Sequence, residues 1–278
     1  MAWGDFAKNA ELEREVRFNT EIAMKYRDSA IKTKDFAEAG VVPAAEVARD
    51  EQEIHTIKHS PDYKREQSVE AVALEYAILK LFDDGEFGDV VKYAQKAAEY
   101  DDLKRGIDIY VDLGDEGEVV PLGIDVTTSM DERILMEKIA RSRDVAKRGE
   151  LTRMKYFFNG VEAGNDDQKK KYLTGVEVPR IILGLNKQAT SNLQTDLLSG
   201  SKQLERKYVR LFLEQIASQL EMLIQAAPPK SDAAKILLRT AERLEEIYKE
   251  KDLKRATLKQ VFGDDPLVNP EVLIRRAA

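Results

Sequence analysis

The chain contains no cysteine. That excludes disulfides and thiolate-bound metals, and it fits a reducing cytoplasm. Histidine is almost as scarce: His55 and His59 stand four apart, with no third to complete a His-rich zinc site. Their plain reading is a solvated pair, with metal binding or proton transfer as the alternative. No run approaches the roughly 18 apolar residues of a membrane-spanning helix, so no membrane partner is expected. The opening Met-Ala-Trp-Gly-Asp-Phe has neither the basic nor the apolar region of a signal peptide, and a cytoplasmic location is expected. The phosphate loop, the dinucleotide fingerprint and the nucleophile elbow are all missing. Positive charge is in deficit as well. A formal charge of −7 argues against nucleic acid binding over the whole surface, while a local basic face stays open.

What is present is a globular composition, 43% apolar over 278 residues, enough for one large domain or two smaller ones. The periodicity divides it into a helical extension over 1–66, a mixed core over 67–190 and a helical region over 191–278. In the first part, Glu11–Asp35 fits a helix loosely, Gly40–Pro43 breaks it, and Ala44–Lys58 forms a second. Residues 67–82 make a broad-faced amphipathic helix that contains Glu75 and ends at Gly85. Phe87–Glu99 reads as a further helix. Two strands follow, at about 105–113 and 119–127, joined by an acidic Gly-Asp-Glu-Gly turn. Asp131–Lys147 returns to helix and Gly149 stops it. Leu151–Phe158 and Val176–Leu185 read as strands around a polar loop. Thr195–Ala226 and Ser231–Lys251 read as long helices separated by Pro228-Pro229. The tail, 262–278, reads as irregular with a short final helix.

Each strand of the central pair carries an acid inside an apolar run: Asp108 in Gly-Ile-Asp-Ile-Tyr-Val, and Asp125 in Leu-Gly-Ile-Asp-Val-Thr. A carboxylate in a strand centre is costly to bury unless something pairs with it. Two of them on neighbouring strands invite a divalent cation. Plainer roles stand beside this one. Glu75 could face solvent. Asp108 could pair with Lys104 or Arg105, Asp125 with some basic residue, and Lys138 could lie as a stem over apolar surface.

The sequence Leu-Glu75-Tyr on a helix, Gly-Ile-Asp108 on one strand and Gly-Ile-Asp125-Val-Thr127 on the next resembles the PD-(D/E)XK nuclease superfamily over roughly residues 67–185. The resemblance implies a restriction-endonuclease-like α/β fold, a mixed sheet flanked by helices. It implies a Mg²⁺ or Mn²⁺ ion held by Asp108, Asp125 and the Val126 carbonyl, with Glu75 as a further ligand or water-orienting group. It also implies DNA as the partner, cut by hydrolysis. Thr127 stands where the pattern has lysine. Either Lys138, from the following helix, supplies that charge, or the fold survives as an inactive nucleic-acid- or protein-binding module. In the second case the C-terminal helices would form a partner or self-association surface. Further basic groups that could contact phosphate are Lys169–Lys171 and, on the long helix, Lys202, Arg206, Lys207 and Arg210.

Overall fold

In a computed structural model of the chain, the described residues are 26, 29–60, 69–114, 118–128, 131–158, 172–199 and 202–254. The elements run in the order α1 (Thr33–Glu38), α2 (Ala44–Lys58), α3 (Val69–Asp83), β1 (Tyr93–Lys96), α4 (Glu99–Arg105), β2 (Ile109–Asp112), β3 (Pro121–Thr127), α5 (Glu132–Lys147), β4 (Thr152–Met154), β5 (Phe157–Phe158), β6 (Tyr172–Leu173), β7 (Val176–Val178), β8 (Arg180–Gly184), α6 (Lys187–Ser199), α7 (Lys202–Ala226) and α8 (Asp232–Glu250). The expected α/β class holds. A mixed four-stranded sheet has the order β1-β2-β3-β8, with β8 parallel to β3 and the other pairs antiparallel. Two short ladders, β4 with β7 and β5 with β6, stand beside it.

The sheet is buried on both faces, and strict alternation of apolar and polar residues is therefore absent from β2 and β3. One face, with Ile109, Val111, Leu122 and Ile124, packs on Leu74 and Ile78 of α3 and Phe212 and Leu220 of α7. The other face puts Tyr110 among Phe36, Ile54, Tyr156 and Phe157. Beside that face, Leu135 and Ile139 of α5 dock on Ile182. Residues expected to lie in terminal extensions thus share buried clusters with the sheet: Val47 and Ile54 on one side, Leu244 and Ile247 on the other.

The free edge of β8 is closed by side chains. Gln219 Oε1 accepts the Ile182 amide at 2.9 Å, and its Nε2 donates to the Ile182 carbonyl at 2.7 Å. Gln215, one turn earlier, does the same for Gly184, with both distances 3.1 Å. Two glutamines at i and i+4 on an apolar helix face thereby stand in for a fifth strand and satisfy an edge that would otherwise be open.

Several boundaries differ from the sequence reading. The helix expected over Phe87–Glu99 is a turn, then β1, then the start of α4. Gly85 and Gly88, at φ +74° and +95°, end the helical path. A Cβ on Gly88 would also lie 2.6 Å from the Glu250 carboxylate, which accepts the Asp89 amide. The strand expected over Val176–Leu185 is two strands in different ladders, split at Pro179, which has no amide to donate. Leu151–Phe158 likewise divides into β4 and β5, and the single helix over Thr195–Ala226 is α6 and α7. Inside the expected loop 159–175, Tyr172–Leu173 forms β6. Most of the helix read over Glu11–Asp35, the lysines at 169–171 and the tail at 262–278 lie outside the described residues.

Candidate active site

Asp108 stands one residue before β2. Its amide donates to the Ile124 carbonyl at 2.8 Å, although the register pairs Ile124 with Ile109. Two residues of one strand therefore face one of the other, the count of a β-bulge. The alternation slips to match: Ile107 and Tyr110 share one buried cluster, while Ile109 lies in the other. The bulge leaves the Asp108 carboxylate over β3, where Oδ2 accepts the Val126 amide at 2.6 Å. Asp108 is buried.

Asp125, in the middle of β3, is 3% exposed. Two cations hold it. Lys138 Nζ donates to Oδ1 at 2.6 Å, and the Arg180 guanidinium donates to Oδ2. Lys138 gets there because Leu135 and Ile139 anchor α5 on Ile182, which aims the residue beside Ile139 at the strand. The helix start is fixed by Asp131, whose Oδ1 accepts the amides of Arg133 (2.9 Å) and Ile134 (3.3 Å). Arg180 is pinned by a second bond, from Nε to the Gly106 carbonyl at 2.9 Å. Gly106 caps α4 at φ +67°, and a Cβ there would lie 2.7 Å from the guanidinium, so the position needs glycine twice over.

Glu75 does not face solvent. It is 2% exposed, and its Oε2 lies 3.3 Å from Lys96 Nζ. Lys96 in turn sits 4.0 Å from the centroid of the Tyr26 ring, a cation–π contact. Burial pushes the Glu75 carboxyl up, Lys96 pulls it down, and the charge of Asp102 adds to the rise. Asp108 is pushed up well above the carboxylate range, first by burial and then by Asp102, Glu75 and Asp125. Four buried carboxylates thus crowd the end of the sheet.

The pairing of Asp108 with Lys104 or Arg105 is not found: Lys104 bonds Glu53, and Arg105 lines a cleft. Arg180 and Lys96 were missed by the sequence reading. Lys96 fell inside a stretch read as helix. Arg180 carried a visible signal, a charge inside the apolar run Val-Pro-Arg-Ile-Ile-Leu. The histidines are exposed and stack on each other, ring centroids 3.9 Å apart.

The donor set is all oxygen, which suits a hard divalent cation. The crowding that raises Asp108 is the repulsion such a cation would relieve. Against that, both Asp125 oxygens already hold cations, and among the described residues no three acids or histidines are grouped to hold an ion. A metal here would have to draw Asp125 away from Lys138 or Arg180.

A cleft of about 590 Å³ opens beside Arg180. Lys104, Arg105, Arg141, Arg148 and Arg153 line it with Arg180, against Glu150 and Glu177.

No family model, curated protein or solved structure matches this chain.

Proposed function

We propose that the chain is a metal-dependent nuclease of the PD-(D/E)XK type, in which Lys138 takes the place of the lysine that Thr127 replaces. The observation that carries this reading is the contact from Lys138 Nζ to Asp125 Oδ1 at 2.6 Å. The order α3, β1, α4, β2, β3 and α5, with β8 parallel to β3, supports this reading. Glu75, Asp108, Asp125 and the Val126 carbonyl are the groups that would hold Mg²⁺ or Mn²⁺. Such an ion supplies Lewis acidity toward the phosphoryl oxygen and makes water a stronger nucleophile. Lys138 stabilises the negative charge that builds on the phosphate as water adds and the strand oxygen leaves. The buried face of α5 keeps that ammonium fixed before substrate arrives, which lowers the reorganisation the reaction requires.

The test is cleavage of plasmid and of single-stranded DNA with and without Mn²⁺. Cutting should require the metal, vanish in Asp125→Ala and fall at least ~100-fold in Lys138→Gln. The lysine variant is the gentler one, because that side chain is 27% exposed, glutamine keeps a donor for Asp125, and Arg180 still holds that carboxylate. Unchanged cutting by Lys138→Gln rejects its role. The double capping of Asp125 favours a second reading, an inactive nuclease-fold protein that binds nucleic acid or protein. Absence of cutting together with absence of metal binding by calorimetry would select it.

A further inference from the structure

The geometry points to the basic cleft beside Arg180 as a seat for the phosphodiester backbone of a single nucleic acid strand. The inference deepens the nuclease reading, because it rests on that site for its orientation. Six cations converge there from four separate elements or their ends. Lys104 and Arg105 come from the end of α4, Arg141 and Arg148 from α5 and its C-terminus, Arg153 from β4 and Arg180 from β8. Two carboxylates share the walls. In a chain of net charge −7, that excess is not set by composition.

The cations are only partly spent. Arg148 lies 3.5 Å from Glu150 and Arg153 lies 3.9 Å from Glu177, both loose and exposed pairs. Arg141 is exposed and makes no hydrogen bond or ion pair with a described residue. Ser142 and Thr152 add hydroxyl groups. Guanidinium forks and hydroxyls are the groups that contact phosphate oxygens without reading bases. Among the described residues, the lining has no aromatic ring on which a base could stack, so the backbone and not the bases is what it suits. The charges line a concavity of pocket size rather than a broad face, which suits one strand better than the convex surface of a duplex. Arg180 lines the cleft and also bonds Asp125, so a strand seated here would lie beside the acid cluster.

The test is fluorescence anisotropy with a labelled oligothymidylate, in EDTA, using the full chain. Without metal the assay reads the cleft and not catalysis. Binding should weaken at least tenfold in Arg141→Glu/Arg148→Glu, and Arg141→Ala should weaken it in the same direction. The slope of log affinity against log salt should lose about 1.4, two single-strand phosphate contacts. Lys235→Glu/Lys249→Glu, an equal double reversal on exposed positions of α8, should change binding less than twofold. No binding, an equal loss in the Lys235/Lys249 control, tighter binding of the matching duplex, or equal competition by polyglutamate would each overturn the inference. A protein that binds through the cleft but never cuts refutes the nuclease reading alone. One that cuts normally with both arginines reversed refutes the cleft alone.

Discussion

The acid cluster makes a prediction that separates an ion-binding site from a merely strained one. Asp108 is raised by burial and then by three neighbouring acids, so it keeps its proton to higher pH than a free carboxyl does, and a divalent cation binding there competes with that proton. Magnesium at 100 times its dissociation constant stabilises a fold by about 2.7 kcal/mol. For a chain of this length that is a rise of about 5 °C in Tm, taking the unfolding entropy as about 2.1 cal/mol/K per residue. Each proton displaced costs about tenfold in affinity per pH unit. Moving from about pH 8 to about pH 6 should therefore weaken magnesium binding, by at most about 100-fold for one displaced proton, and shrink the gain in Tm. Scanning calorimetry with magnesium titrated at both pH values, at matched ionic strength, measures this directly.

Asp108→Asn should erase the magnesium effect and raise the metal-free Tm near pH 8. The amide oxygen can still accept the Val126 amide, and the buried position no longer carries a group that can ionise beside Glu75, Asp102 and Asp125. A magnesium gain that survives in Asp108→Asn, or does not shrink with pH, would refute the assignment. No gain at saturating magnesium would remove the ion from the cluster altogether.

Three further outcomes follow from particular contacts. Gln219→Leu should destabilise by about 2–4 kcal/mol in urea melts and promote association, because the Ile182 amide and carbonyl lose their partners at a strand edge; a loss below about 0.5 kcal/mol would mean that the edge closes otherwise. Gly106→Ala should cost about 1–3 kcal/mol through its positive φ and the approach of Arg180, and it should impair any cutting activity by moving Arg180 off Asp125. Asp101 is raised from 3.8 to about 6, chiefly by burial, with the Lys155 and Tyr156 amides bonded to it pulling the other way. The folded state then holds the Asp101 proton more tightly than the unfolded one. Its stabilising share, about 3 kcal/mol, is full below about pH 4 and is lost as pH rises through about 6. Stability should therefore fall across that window in a pH series of chemical melts, less steeply in Asp101→Asn.

The elements that were legible are those with one dominant local signal. Helix α2 is bounded by Pro43 and its apolar spacing, and α5 by Asp131 and Gly149, so both agree with the sequence reading almost to the residue. Acids embedded in apolar runs announced β2 and β3. What failed was periodicity in short pieces. The stretch Tyr93-Ala-Gln-Lys96 is too short to tell strand from helix, and its strand state comes from pairing with β2 across the α4 insertion. The division of Val176–Leu185 is tertiary as well: the segment serves two ladders, and Pro179 only marks where it changes partner. The bulge at Asp108 has no sequence signal, because the slip depends on how Ile107 and Tyr110 meet the second core.

The site shows the same division, and the omissions share a cause. The reasoning that found Asp108 and Asp125 was that a buried acid demands a partner, and that demand was assigned to a metal, while Lys138 was brought in only to replace the lysine missing at Thr127. Applied to the other strands, it would have asked which cations lie in apolar runs, and Arg180 is one of them. Lys96 needed a correct strand assignment first. With both included, the cluster holds Glu75, Asp102, Asp108 and Asp125 against Lys96, Lys138 and Arg180. That near balance lets the acids stay buried without an ion, and it sets what an ion must overcome. Breaking a buried pair outright costs several kcal/mol, so a metal can compete for Asp125 only if the displaced cation gains a new anion. Arg180 lines the cleft where such an anion would enter. A phosphate arriving there would free an Asp125 oxygen as it engages the guanidinium, and substrate and metal should therefore bind with positive coupling. Calorimetric titration of magnesium with and without oligothymidylate measures that coupling, and equal affinities in the two titrations would refute it.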